Sequence, residues 1–323
     1  MTLSYVFRLL CLCLATFFLV NLVLGLAVRA ATAAAVRWAE RMPARAAAHW
    51  LLALRLAPPA IALFVVAALC VPSYLWLEPE AASEEIGVPC LLAAVLGAMV
   101  WILAMVRSVR IAARSSRYVD AFQRAGVQMK LRGCRLPVWM VGEGSASLML
   151  AGVLRPRIFV AQRVMAALTP EQFEAAVRHE VAHLQSHDNS KRVLLLFAPG
   201  LLPFFRGLDS LETHWSRIAE WAADDRSVEG DAQRSLALAS ALVRVARLAP
   251  AACPVPMIAS LFQEGRDLAA RVDRLLNAAP VRSKRRFPMI PAGGAVLLAS
   301  LAAMILQPTT FHSVHRLLEE LIH

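Results

Sequence analysis

The chain has 323 residues, of which 59% are hydrophobic and 18% are charged. Because soluble domains carry about 25% charged residues, this composition excludes a fully water-soluble protein and favours one that lies at least partly in a lipid bilayer. The formal net charge of +11 does not indicate a direct nucleic-acid partner, since the basic residues cluster beside apolar segments and form no face interleaved with aromatic residues.

Four apolar segments are long enough to cross the roughly 30 Å hydrocarbon core of a bilayer as helices. They lie at residues 5–28, 58–77, 87–106 and 287–306. The first is longer than the apolar part of a signal peptide and offers no convincing cleavage site, so we expect it to be retained. The sequence therefore predicts three transmembrane helices within residues 1–106 and a fourth, followed by a short tail, within residues 287–323.

Charged residues beside the apolar segments predict how the chain is oriented. The linker after the first segment contains five arginines and one glutamate, whereas the linker after the second contains four glutamates and no basic residue. Four arginines closely follow the third segment, and four basic residues precede the fourth. Since basic residues stay on the cytoplasmic side, we expect a multi-pass protein of the inner (cytoplasmic) membrane, with residues 107–286 in the cytosol and both termini outside it.

The six cysteines show no metal-binding CxxC spacing. Most of them lie in apolar segments, where a cysteine behaves as a small buried hydrophobic residue. Cys70 and Cys90 lie in the outer halves of adjacent segments, so a disulfide between them remains open.

Residues 107–286 are numerous enough to form one domain with its own core. Residues 107–129 are predicted to continue the third membrane helix into water. Three short apolar segments, at 136–141, 144–151 and 157–161, are bounded by glycine and proline and predict the strands of a small sheet. Helices should follow the sheet, which makes this an α+β domain.

A helix is predicted to begin at Thr169, whose hydroxyl can cap its first turn. Pro170 then occupies the first helical position, and Gln172 is placed to complete a capping box. Apolar residues recur along this segment at spacings of three and four, which indicates one buried face and a helix that continues to about Asn189.

The chain beyond this helix contains a second apolar run, at residues 193–205, that is too short to span a bilayer. It either packs in the domain core or dips into the bilayer surface. Two further helices are predicted, at residues 211–228 and 232–248.

The motif His179-Glu180-Val181-Ala182-His183 lies within the capped helix. Residues four apart on a helix share one face, so His179 and His183 can bind the same ion. Glu180 is rotated by about 100° from His179, which places its carboxylate beside an open coordination position. Zinc lowers the pKa of bound water to about 7 and polarises a carbonyl group, so this pattern predicts a metalloprotease with Glu180 as general base.

A catalytic zinc needs a third protein ligand, and three residues compete for this role. His187 lies two turns beyond His179, about 12 Å along the helix, too far to share its ion. His214 is possible, although an exposed histidine near a helix start is the simpler reading. Glu220 is preferred, because two alanines after it permit close helix packing and Asp224 follows one turn on, where it can accept an N–H from a ligating histidine.

These residues belong to a longer set of segments that resembles the membrane metallopeptidases of the BlaR/MecR antirepressor type. The similar segments lie at residues 136–138, 152–158, 168–171, 178–183, 188–189 and 220–224, and residues 271–276 are similar to the arginine-rich closing element of that family. Together they cover most of residues 107–286. The arrangement of three membrane helices, protease domain and fourth helix is also similar.

The resemblance implies a gluzincin-like fold in which His179, His183 and Glu220 bind zinc and Glu180 acts as general base. It also implies signalling by cleavage of a cytosolic transcriptional repressor, or self-cleavage when a signal arrives. Receptors of that family carry a large extracellular penicillin-binding sensor after the fourth helix, whereas only residues 307–323 follow it here, so we expect no intrinsic β-lactam sensing.

Two other functions fit parts of the sequence. A quality-control protease similar to the HtpX or CAAX-protease group would share the HExxH motif, but the segment Arg155-Pro156-Arg157 and the arrangement of helices disfavour it. A non-proteolytic membrane scaffold with a structural zinc site is disfavoured by Glu180, because structural zinc sites are closed by four ligands.

Other features of the function stay open at this point. The substrate, the activating signal and a homodimer are not settled by the sequence, and two histidines with a carboxylate also suit other divalent ions. We expect the backbone of a protein substrate to add to the edge of the small sheet near residues 147–151.

Overall fold

The computed structural model describes residues 3–77, 87–130, 136–142, 148–153, 155–248, 259–260 and 267–277. This part of the chain is mostly helical and contains one small mixed sheet. The predicted fourth membrane helix at residues 287–306 lies outside the described residues.

Three described helical segments are long and apolar enough to cross a membrane. They are α1 (Leu3–Ala39), the segment made of α2 (Ala44–Val65), a π-helical turn (Val66–Cys70) and α3 (Val71–Leu77), and α4 (Val88–Ala125). They cover the three predicted segments to within one residue and continue past them, because a charged side chain does not break a helix. α1 and α2 therefore extend beyond the apolar zone as a helical hairpin.

The membrane helices α1 and α4 pack closely at a glycine. Gly97 of α4 permits close approach to α1, since a Cβ atom there would lie 2.5 Å from the carbonyl oxygen of Leu14. Cys70 and Cys90 are buried in the same cluster, and the described cysteines are free thiols. The disulfide that the sequence left open is therefore not formed in this structure.

The C-terminal end of α4 differs from the prediction of a helix that continues to residue 129. The helix ends at Ala125, Gly126 adopts an extended conformation, and Val127–Met129 forms strand β1. Glycine is a poor helix former, and the residues after it gain backbone hydrogen bonds by pairing antiparallel with β2 (Val138–Val141).

The sheet has the strand order β1-β2-β4-β3-β5. The remaining strands are β3 (Leu148–Ala151), β4 (Arg157–Ala161) and β5 (Ala259–Ser260). β2 pairs parallel with β4, while β3 pairs antiparallel with β4 and with β5. Side chains alternate along β3, so that Leu148 and Leu150 join the main core and Met149 and Ala151 pack on the side of α4.

The expected free edge near residues 147–151 is not found where the structure describes this strand. Met149 lies opposite Ser260 and Leu150 opposite Ala259, so β3 is an internal strand over these residues. A two-residue strand such as β5 is too short to show the alternation by which strands are recognised in a sequence. Residues 143–147 lie outside the described residues.

Helix α6 (Pro170–Gln185) begins as predicted, with both hydrogen bonds of the capping box formed between Thr169 and Gln172. It ends four residues before the predicted Asn189, because His187 adopts a left-handed conformation with φ of 55°. α7 (Asp188–Phe197) starts at the next residue. This break turns the chain sharply and buries Asp188.

The remaining described helices are α5 (Gln162–Ala167), α8 (Asp209–Val228), α9 (Ala232–Leu248) and α10 (Leu268–Leu276). Of these, α8 and α9 pack against α6, and α5 and α10 pack against α9. The core of the domain lies between the sheet, α6 and α9. α8 packs against α6 on one side and against the α1–α2 hairpin on the other, where Trp215 and Ile218 are buried.

Candidate metal centre

His179 and His183 project from the same face of α6, as their spacing requires. They are 0% and 1% exposed, and their Nε2 atoms lie 3.1 Å apart. The two rings meet edge to face, with centroids 4.7 Å apart. Both imidazoles therefore present one nitrogen to the same point inside the protein.

Glu220 reaches that point from α8. Its Oε2 lies 3.4 Å from Nε2 of His179, and its Oε1 lies 3.5 Å from Nε2 of His183. Ligand atoms on a tetrahedral zinc are separated by about 3.3 Å, given metal–ligand distances of about 2.0 to 2.1 Å. The buried group of His179, His183 and Glu220 could therefore hold one metal ion.

The hydrogen bonding of Glu220 also fits a bound cation. Neither carboxylate oxygen of Glu220 has a hydrogen-bonding partner among the described residues, although the residue is only 4% exposed. Its nearest nitrogen neighbours lie 3.3 to 3.6 Å away and form ion pairs, so its charge is compensated although its oxygens accept no hydrogen bond. Buried carboxylate oxygens normally accept hydrogen bonds or bind a metal. An ion between the three side chains would satisfy these oxygens.

Each histidine is held by a carboxylate behind it. Nδ1 of His179 lies 2.9 Å from Oδ1 of Asp224, and Nδ1 of His183 lies 2.8 Å from Oδ2 of Asp188. A carboxylate at Nδ1 fixes the tautomer that leaves Nε2 free for a metal. The sequence predicted that Asp224 accepts a hydrogen bond from a ligating histidine, but it predicted no such role for Asp188. The contact of Asp188 with His183 depends on the helix break at His187.

Arg271 of α10 closes the site from the side of α8. Its Nε and one terminal nitrogen donate to the two oxygens of Asp224 at 2.8 and 2.7 Å, and its other terminal nitrogen lies 3.3 Å from Glu220. Burial alone would raise the pKa of Asp224, but the charge and hydrogen bonds of Arg271 outweigh it and lower this pKa to about 2. Asp224 is therefore an ionised carboxylate at neutral pH.

Glu220 and His183 each change the ionisation of the other. Burial would raise the pKa of Glu220, but the charges of His183 and Arg271 hold it well below its ordinary value. Burial would lower the pKa of His183, but Glu220 and the hydrogen bond with Asp188 raise it to about 10. An ion that binds here therefore replaces a proton on the imidazole.

Glu180 lies beside the cluster without joining it. It is fully buried, its Oε2 accepts a hydrogen bond of 2.7 Å from the backbone N–H of Leu150, and its Oε1 has no partner among the described residues. Burial is the main cause that raises the pKa of this carboxyl group to about 7. A carboxyl group with this pKa can both accept and return a proton near neutral pH.

The other two histidines considered as ligands lie elsewhere. His187 is exposed at the start of α7, and His214 donates through Nδ1 to the backbone oxygen of Ser210 at 2.7 Å on the surface of α8. Neither belongs to the described metal-ligand group.

Comparison with known proteins adds no assignment to this geometry. No protein-family model matches the sequence, and no curated protein matches it either.

Proposed function

We propose that this protein is a zinc metalloendopeptidase embedded in a membrane. The observation that supports this proposal most strongly is the convergence of His179, His183 and Glu220 from two helices at the spacing of tetrahedral ligands, with Glu180 buried beside them. Three protein ligands leave one coordination position open, which is typical of catalytic zinc and not of structural zinc. When bound, zinc would polarise a peptide carbonyl and lower the pKa of a water molecule.

Glu180 is the proposed general base. The backbone N–H of Leu150 fixes one of its oxygens, which leaves Oε1 to take a proton from the attacking water and pass it to the leaving amine. A structural scaffold would gain nothing from a buried carboxyl group in this position, since burying it without a second partner is costly. The arrangement of Glu180 therefore favours an enzyme.

Membrane attachment and orientation complete the proposal. Three described helices are apolar enough to span a membrane, and the basic residues that follow the first and third support a cytosolic location for the metal centre. We infer a gluzincin-like domain, and from the sequence resemblance a protein substrate such as a cytosolic transcriptional repressor. Cleavage of damaged membrane proteins is the alternative that a substrate screen would separate from this role.

The proposal is tested by comparing two Glu→Gln variants of the same helix, purified in detergent. Glu180→Gln should keep about one zinc per chain and lose cleavage of a peptide library by a factor of about 10² to 10⁴. Glu174→Gln removes a carboxylate that lies on the surface and pairs with Arg178, so its activity should equal that of the unmodified protein.

Two results would reject the assignment. Full cleavage by Glu180→Gln would remove the proposed base, and absence of bound metal from the unmodified protein would remove the proposed centre. Adding a candidate repressor and a destabilised membrane protein as substrates then separates signalling from quality control.

A further inference from the structure

The chain between α7 and α8 runs along the membrane part of α1. We refer to residues 198–208 as the interhelix loop. One terminal nitrogen of Arg29 donates to the carbonyl oxygen of Gly207 at 3.1 Å, and Nδ2 of Asn21 donates to that of Gly200 at 2.9 Å. Between these contacts Leu201 packs on Gly25, where an added Cβ atom would collide with it.

These contacts place part of the loop beside the apolar part of α1, away from its end at Arg29. Arg29 is the first charged residue after the apolar part of α1, and Asn21 lies eight residues earlier. A helix rises 1.5 Å per residue, so the loop descends by about 12 Å from Arg29 toward the middle of the bilayer. Asn21 is only 1% exposed, and the loop covers its polar side chain.

Donors from all three membrane helices reach backbone carbonyl oxygens at the two ends of the loop. Arg107, directly after the apolar part of α4, donates to the carbonyl oxygens of Leu196 and Ala198 at 2.6 and 3.1 Å. Arg55, ahead of the apolar part of α2, donates to those of Ala198 and Pro199 at 3.4 Å. Irregular backbone at membrane depth is tolerated only when protein groups satisfy it in this way.

The tip of the loop is apolar and exposed. Leu202 and Phe205 exchange two backbone hydrogen bonds of 3.1 Å around a tight turn. Their side chains are 40% and 45% exposed, and Phe204 at the corner is 85% exposed. Exposing three large apolar side chains together to water is unfavourable.

Phe204 also has an unusual backbone conformation. Its φ of 65° follows Pro203 in the turn, at the position where glycine is normally preferred. An aromatic residue in this conformation strains the backbone, and it places an apolar ring at the outermost point of the loop. Strain of this kind persists when the surroundings of the residue compensate for it.

We propose that the tip of the interhelix loop, with Phe204 at its corner, inserts into the hydrocarbon of the leaflet nearest the metal centre. The occupant of this apolar surface is the lipid bilayer, because the surface is continuous with α1. Gly200 and Leu201, directly before the tip, contact the apolar part of α1. The Phe205 ring lies 5.1 Å from the guanidinium of Arg29, at the end of that part.

The loop joins α7, which carries Asp188, to α8, which carries Glu220. Insertion therefore anchors both of these helices at the membrane.

A spin-label experiment tests the insertion independently of any enzymatic activity. Phe204→Cys is introduced into full-length protein whose six cysteines are replaced by alanine, labelled with a nitroxide, and reconstituted into phosphatidylethanolamine–phosphatidylglycerol vesicles. Accessibility is measured to oxygen, which concentrates in the bilayer, and to a water-soluble nickel complex. Ile102→Cys on the membrane part of α4 and Leu236→Cys on α9 serve as matched controls, since both side chains are 59% exposed.

Insertion predicts that the oxygen-to-nickel accessibility ratio at position 204 matches that at 102 and exceeds that at 236 several-fold. A ratio at 204 equal to that at 236 would place the tip in water and overturn the proposal. Low accessibility to both reagents would also overturn it, because a second copy or another protein would then cover the tip.

Discussion

At the scale of single residues, the candidate metal centre is a set of buried charges that compensate each other. Glu220 lies within 3.3 to 3.6 Å of nitrogen atoms of His179, His183, Arg192 and Arg271. Removing one member of a buried charge pair is strongly destabilising, because it leaves the partner uncompensated. The side chains around Glu220 therefore keep its carboxylate ionised inside the protein.

Asp188 is expected to strengthen metal binding through His183. Asp188→Asn keeps the shape of the side chain but weakens the hydrogen bond that orients His183, so zinc affinity should fall by about 10- to 100-fold. Competition with a chelator of known affinity measures this loss. Asp225→Asn is the control, since Asp225 pairs with Arg274 near the surface, and equal losses in the two variants would contradict the role of Asp188.

The second residue-scale prediction concerns pH. In the metal-free protein the pKa of His183 is about 10, so this imidazole is protonated at neutral pH and must release its proton to bind zinc. Affinity should therefore rise with pH, by about tenfold per unit for each proton released, and level off above the pKa. Calorimetry in buffers of different ionisation enthalpy counts the protons, and an affinity that is constant between about pH 6 and about pH 8 would refute the linkage.

Part of this site is predictable from the sequence and part is not. His179, Glu180 and His183 are fixed by spacing on one helix, and Glu220 follows from a search for the missing ligand. Asp188 could not be predicted, because a helix continuing through it would point it away from His183. Arg271 was indicated only by resemblance, because its pairing with Asp224 depends on how distant helices pack.

At the scale of elements, the break between α6 and α7 positions Asp188. His187 makes this break with a left-handed backbone, a conformation that costs a residue with a side chain about 1 kcal/mol and costs glycine almost nothing. His187→Gly should therefore raise the free energy of unfolding by about that amount and leave zinc content unchanged. Thermal unfolding in detergent measures the first and metal analysis the second.

The control for this change is His214→Gly within α8. Glycine inside a helix is destabilising by about 1 kcal/mol, so the same substitution should here lower the unfolding temperature. A lower zinc content in His187→Gly would contradict this interpretation of the break, in which only the backbone conformation at position 187 matters.

The elements themselves were predictable to different degrees. β4, α9 and the capped start of α6 were predicted at the observed positions, since turn residues and capping side chains mark their ends. The membrane helices are longer than predicted because apolar windows end at the first arginine. β1 was predicted as helix, because its strand conformation comes from pairing with β2 and not from its own three residues.

At the scale of the whole molecule, α8 connects the membrane helices to the candidate metal centre. Arg55 of α2 donates to Glu212 of α8 at 2.8 Å, and Arg217 of α8 lies 3.0 Å from Glu40 at the end of the α1–α2 hairpin. Glu220 and Asp224 follow on the same helix. A movement of the hairpin would therefore be transmitted to Glu220 through a continuous helix.

We propose that one ion is bound by side chains that only the complete fold brings together. Zinc-edge X-ray absorption of the purified protein in detergent tests this most directly. We predict a four-coordinate shell of nitrogen and oxygen at about 2.0 to 2.1 Å, with the outer-shell scattering of two imidazoles and no sulfur. Sulfur scattering at about 2.3 Å would contradict the proposed centre. Unchanged zinc binding in both His183→Ala and Glu220→Ala would contradict it as well.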